Sequence, residues 1–208
     1  MGIERTIIHG PPGTGKTFRL VNHHLENEIK KFKTDPQKII YITFSNAAAK
    51  EAGERINHDL LYISTMHSLG TRECKIDASK NLLSGKKKWR VFQNYPNHEA
   101  YQNMSFVTTV DASGNPTYEN DHMQIIQYAR SKKIDLQESA LQLGKHETVD
   151  IDFTMQLEQD LATFKEHTGM IEFSDMIKLF VKRKKCPDID AVFLDEAQDL
   201  NPLQWEMF

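Results

Sequence analysis

Eight consecutive residues near the N-terminus, Gly10-Pro11-Pro12-Gly13-Thr14-Gly15-Lys16-Thr17, restrict the fold more than any other part of the chain. They give a glycine, four intervening residues and then Gly-Lys-Thr. The run is preceded by a short β-rich stretch, Thr6-Ile7-Ile8. It is followed by apolar positions at Phe18, Val21, Leu25, Ile29 and Phe32, spaced by threes and fours. Strand, glycine-rich loop and amphipathic helix together make the setting of a P-loop. Glycines let backbone N–H groups close around phosphate oxygens with no Cβ in the way, and the helix that follows turns its partially positive end to the same point. On this reading Gly10, Pro11, Gly13, Thr14, Gly15, Lys16 and Thr17 bind nucleotide phosphates, with Lys16 neutralising β/γ charge and Thr17 placing its hydroxyl on Mg2+. A glycine-rich turn that binds nothing is the plain alternative.

Beyond the first helix, which Asp35-Pro36 should end, the pattern alternates. Lys38 to Phe44 is nearly continuous in apolar and β-branched residues, as in a strand covered on both faces. A helix is expected from about Asn46 and a third strand over Leu61-Tyr62-Ile63-Ser64-Thr65. Strands alternating with helices predict an α/β fold with a parallel sheet built from right-handed crossovers. From residue 71 to 165 the chain becomes polar and helical in pattern, around 122–145 and 153–166, with a turn-rich break at 111–116. That stretch reads as an insertion. The α/β signature returns over 166–208, with a helix at Phe173 to Val181 and a buried strand at Ala191-Val192-Phe193-Leu194. The expected organisation is therefore 1–70 as the first part of an α/β lobe, 71–165 as an inserted, mainly helical subdomain, and 166–208 as the return to the lobe.

The last strand ends in Asp195-Glu196, and a nucleotide site needs an acid at the C-terminal end of a neighbouring strand to hold Mg2+. Asp195 has that place. Glu196 can act as the base that orients and deprotonates an attacking water. Many strands end in acids, so this signal gains its weight from the P-loop.

The stretch Leu194 to Gln204, Leu-Asp-Glu-Ala-Gln-Asp-Leu-Asn-Pro-Leu-Gln, resembles motif II of superfamily 1 DNA helicases of the UvrD, Rep and PcrA type. Tyr41 to Ala52 is similar to motif Ia of that family, and Ser64-Thr65-Met66-His67-Ser68-Leu69-Gly70 to the Thr-Phe-His-Ser motif after it. Glu172-Phe173-Ser174-Asp175-Met176 is similar to the Asp-Phe-x-Asp-Leu segment before motif II. The resemblance implies a RecA-like P-loop NTPase lobe with an inserted accessory subdomain, working with ATP and Mg2+ as a translocase on single-stranded DNA. Catalysis would fall to Lys16, Asp195 and Glu196, with Thr17 and Asp195 toward the metal and Gln198 toward the nucleotide. Thr43, Phe44, Thr65 and His67 would face the DNA, Phe44 against a base.

The chain also departs from the family pattern. Only nine residues precede Gly10, where the family carries an adenine-recognising glutamine; Ala47 stands where motif Ia has lysine, and Met66 where the next motif has an aromatic. The sequence stops at Phe208, soon after motif II, so the second motor lobe and its arginine fingers are not among these residues. Poor hydrolysis and no unwinding are expected of these 208 residues alone. Two rival readings are an ATP-gated DNA-binding or assembly module without unwinding, and a P-loop kinase of a small substrate.

Composition narrows the partners. A net charge of −3 and a pI near 6.3 mean that any DNA contact must be local, because phosphate neutralisation supplies most non-specific affinity. The basic run Lys86-Lys87-Lys88-Trp89-Arg90 could offer a phosphate-and-base contact or simply a solvated face; Lys182-Arg183-Lys184-Lys185 suits a helix C-terminus. Two distant cysteines and nine histidines without a paired spacing argue against a disulfide framework or a zinc site. No apolar run reaches the roughly 18 residues of a membrane span, and no leader pattern opens the chain, so a cytoplasmic protein is expected. Oligomeric state has no signal in the sequence.

Overall fold

The computed structural model describes residues 4–106, 108–110, 116–184 and 186–208, so most of the turn-rich break at 111–116 and also Lys185 lie outside the described residues. Its strands are β1 (Ile39–Thr43), β2 (Tyr62–Thr65), β3 (Thr108–Val110), β4 (Pro116–Tyr118) and β5 (Ala191–Leu194). The chain divides into two compact units, one of residues 1–65 and 187–197, the other of 66–186 and 198–208.

The first unit is α/β. Its parallel sheet has the order β2-β1-β5, with Thr43 opposite Thr65 on one side of β1 and Ile42 opposite Leu194 on the other. All five β1 residues are buried, which is why that run is apolar throughout rather than alternating. β5 lies at an edge, and its Val192 is correspondingly exposed. Ser45 starts the helix Asn46–Arg55 by accepting a hydrogen bond from the Ala48 amide at 3.1 Å.

Residues 16–30 are continuously helical, but Leu20–Leu25 is a π-helical segment between two α-helical pieces. Val21 and Leu25 pack with Ile39, Tyr41 and Phe193 as the spacing predicts, whereas Phe18 is 70% exposed. An i→i+5 turn lengthens the local period, so residues spaced for 3.6 do not all keep one face. Phe32 falls beyond the helix end at Lys30 and is exposed. The strand expected at Thr6-Ile7-Ile8 is not formed: the segment pairs with no strand of the sheet and Ile7 is 73% exposed. Three residues without a ladder partner gain too little to offset the entropy of ordering them.

The second unit is mainly helical, with β3 and β4 forming an antiparallel pair. The helical pattern at 122–145 is two helices, Asp121–Lys132 and Leu136–Gln142, because Lys133 turns left-handed and Asp135 caps the next start through the Glu138 amide. The helix Ile151–Thr168 follows. Their apolar faces surround an aromatic core in which Trp89 stacks on Phe106 at 4.7 Å and Phe92 on Tyr101 at 5.4 Å. Trp89 is 1% exposed, so it serves this core rather than a nucleic-acid base. Beside it, Lys88 donates to the Ser79 and Leu82 carbonyls at 2.6 and 2.8 Å, which leaves Lys86, Lys87 and Arg90 as the exposed cations of that run.

An ionic cluster lies inside the same unit. The Glu172 carboxylate is 1% exposed and accepts from Arg130 at 2.6 Å, Lys165 at 2.9 Å, Gln127 at 2.9 Å and Tyr118 at 3.2 Å. Asp175 takes a second Lys165 hydrogen bond and closes a capping box with Glu172 at the start of the helix Phe173–Arg183. Burial pushes the Glu172 carboxyl up, but the two cations outweigh it and hold the group down to about 2. Its contribution to stability is therefore complete above the ordinary carboxyl range and is lost as pH falls through that range toward 2. Glu172→Gln should lower unfolding free energy by about 3–5 kcal/mol at neutral pH, since it leaves Arg130 buried with less compensation. It should also flatten the acid side of the stability curve; urea unfolding between neutral and acid pH checks both.

Candidate nucleotide-binding site

The loop from Gly10 to Gly15 has a backbone that its glycines make possible. Gly13 and Gly15 both have φ of 76°, a left-handed conformation costly for residues with a Cβ. At Gly10 a Cβ would come within 2.7 Å of the Thr14 hydroxyl, which instead donates to the Pro11 carbonyl at 2.7 Å and closes the loop. The Lys16 ammonium sits on this loop, donating to the Gly10 and Pro11 carbonyls at 3.0 and 3.1 Å. An ammonium has three donors, so a further one is left for an anion.

Thr17 follows in the first turn of the helix, and its hydroxyl donates to the Asp195 carboxylate, 2.9 Å from Oδ2 and 3.2 Å from Oδ1. The two residues are 178 positions apart. They meet because β5 runs parallel to β1 and ends beside it, where the Asp195 amide donates to the Ile42 carbonyl at 2.9 Å. Glu196 turns away at once: its backbone is left-handed at φ of 54°, its side chain is exposed, and its amide donates to Asp195 Oδ1 at 3.1 Å. A non-glycine residue held there stores backbone strain.

Sequence reasoning missed one neighbour of this carboxylate. The buried Tyr41 hydroxyl donates to Asp195 Oδ2 at 3.0 Å. In an apolar strand a tyrosine reads as core, and no local pattern points to a partner 154 residues later. Burial, and then the adjacent Asp195 charge, hold the Tyr41 phenol well above its ordinary value, so it stays a donor.

This donor set suits magnesium. One hydroxyl and one carboxylate converge in a half-buried place, and among the described residues no group of three or more His, Cys, Asp or Glu side chains could form a full protein cage. Mg2+ characteristically takes one or two protein oxygens and completes its shell with phosphate and water.

Thr43 and Thr65 stand side by side at the ends of β1 and β2, 2% and 7% exposed, and Phe44 just beyond is 8% exposed. None of the three offers a ready surface to a base. His67 and Gln198 belong to the second unit. His67 is half-buried in the helix Met66–Glu73, edge-on to Phe173 at 5.6 Å between ring centroids, and burial lowers it to about 4. It is a neutral ring at physiological pH. Gln198 is exposed in the 3-10 turn Ala197–Asp199 and donates to Asp199 at 3.4 Å.

Gly13 gives a clean test of loop conformation, because a Cβ there would meet nothing within 4 Å. Gly13→Ala should therefore cost about 1–2 kcal/mol from the left-handed backbone alone. A denaturation series with Gly53→Ala as a control, where the site is equally open and helical, measures it.

Comparison with known proteins places the chain in a family. The family model for the UvrD/REP helicase N-terminal domain matches residues 3–208. A probable DNA helicase II homolog of Mycoplasma capricolum is 25% identical over 94% of this chain and 28% of its own length. The Gabija protein GajB of Bacillus cereus is 40% identical over 31% of this chain and 10% of its own, and the ATP-dependent DNA helicase PcrA of Staphylococcus epidermidis 32% over 36% and 11%. The chain thus spans under a third of the length of each of these relatives. Over its own length the match is nearly complete, and the chain belongs to the UvrD/REP helicase N-terminal domain family.

Proposed function

We propose that this chain is the ATP-binding N-terminal motor lobe of an ATP-dependent DNA helicase or translocase acting on single-stranded DNA. On this reading the lobe is RecA-like, residues 71–165 are its inserted accessory subdomain, and a second lobe outside these residues completes the motor. The observation that carries it is the meeting of Thr17 with Asp195 beside the Lys16-bearing loop. Family membership supports the same reading.

In the proposed mechanism the amides of Gly13, Thr14 and Gly15 take the phosphate oxygens, and Lys16 exchanges its loop carbonyls for β/γ oxygens. Thr17 and Asp195 would hold Mg2+, which supplies positive charge to the β- and γ-phosphates as the terminal bond breaks. Glu196, exposed next to the carboxylate that orients the site, accepts the proton of the attacking water. Gln198 as a nucleotide contact rests on the motif II resemblance. So does the placing of Thr43, Phe44, Thr65 and His67 toward DNA. Since Phe44 is buried, its stacking on a base requires its cover to shift when DNA binds. His67 would meet DNA as a neutral hydrogen-bonding or stacking ring, not as a cation.

Titrating a fluorescent ATP analogue with Mg2+ should give saturable binding that Lys16→Ala weakens by about tenfold or more, the loss of a charge-assisted phosphate contact. If wild type and variant bind alike, the loop is not a phosphate site. Phe44→Leu keeps the bulk of the side chain and removes its π-face. It should weaken binding of a single-stranded oligothymidylate by about 1–3 kcal/mol if Phe44 stacks on a base. An unchanged DNA affinity assigns Phe44 to packing alone.

A further inference from the structure

We infer that Tyr41 is a positioning residue for the metal-binding carboxylate: its hydroxyl holds Asp195 in the one rotation that lets Thr17 and Asp195 act on the same ion. This rests on the nucleotide reading above. It adds a residue that lies neither in the P-loop nor in the acidic end of β5.

The argument begins with the strand. Tyr41 is the middle residue of β1, opposite Phe193 of β5, so alternation puts its side chain on the same face as Phe193 and as Asp195 two residues further on. Its ring is 0% exposed and packs with Val21, Leu25, Ile39 and Phe193. A phenol in such a core needs a partner for its O–H, because an unpaired buried hydroxyl is costly. The partner is Asp195 Oδ2 at 3.0 Å.

A carboxylate on a strand end can rotate about its side-chain bonds, and each added donor removes part of that freedom. Here Thr17 donates from the P-loop helix, the Glu196 amide from the following turn and Tyr41 from the neighbouring strand. The Thr17 hydroxyl is itself the group proposed to move onto the ion, so it cannot be relied on to orient Asp195 once metal binds. The Glu196 amide reaches only Oδ1. Tyr41 is therefore the donor that keeps Oδ2 oriented in both situations. Groups that hold a metal ligand in this way commonly change metal affinity by about 10–100-fold when removed.

The test is Tyr41→Phe, which retains the ring in the core and deletes only the hydroxyl. Binding of a fluorescent ATP analogue is measured against Mg2+ concentration and separately in EDTA, with thermal melting followed in parallel. Ile39→Val is the control, thinning the same core without touching the carboxylate. The expected result is a Mg2+ midpoint raised by about tenfold in Tyr41→Phe, with metal-free nucleotide affinity unchanged and the midpoint of Ile39→Val equal to that of wild type. If Tyr41→Phe and wild type share one Mg2+ midpoint, or if Ile39→Val shifts it as much, Tyr41 is only a core residue and the inference is overturned while the nucleotide reading stands. If the wild-type chain binds no nucleotide at any Mg2+ concentration, the nucleotide reading fails and the inference with it.

Discussion

β1 is the constraint on which the first unit depends. Five buried residues in a row leave every backbone N–H and C=O of the strand in need of a partner, and β2 and β5 supply them from opposite sides. Parallel pairing in fixed register then sets the rest. It brings Thr65 beside Thr43, and it ends β5 where Asp195 can meet both Thr17 and Tyr41. The chemistry at the strand ends follows from satisfying the hydrogen bonds of one buried strand.

The second unit is organised by a different demand. A carboxylate as deeply buried as that of Glu172 is tolerable only with several donors, and meeting that need draws on Tyr118, Gln127, Arg130 and Lys165. These come from β4 and from the helices Asp121–Lys132 and Ile151–Thr168, all converging on the start of the helix Phe173–Arg183. Glu172 stands in the segment whose sequence is similar to the Asp-Phe-x-Asp-Leu stretch of the helicase family. In this chain that segment caps a helix and neutralises buried cations.

Much of this was legible in advance, and the reasons are local. Continuous apolarity identified β1, the alternation of strand and helix patterns put a helix from about Asn46, and a fixed spacing of glycine, lysine and threonine identified the loop that holds Lys16. Legibility failed where a residue's role depends on distant partners. Trp89 among lysines reads as part of a solvated face or as a nucleic-acid contact until Phe106 and Phe92 are seen to surround it. Phe18 fits a helical stripe until a π-turn rotates it out. Thr6 to Ile8 has strand composition, but composition does not provide a paired neighbour.

By itself, then, the sequence determined strands β1, β2 and β5 and the helix between the first two, the phosphate-loop motif, the acidic end of β5 and the family, because each depends on short-range pattern or on motif order along the chain. Only the tertiary structure decided that Thr17, Asp195 and Tyr41 share one hydrogen-bonded group, that Glu172 is buried among cations and that Trp89 is core. Those outcomes are set by which strands pair and which faces are covered, and such contacts join residues that no local spacing relates.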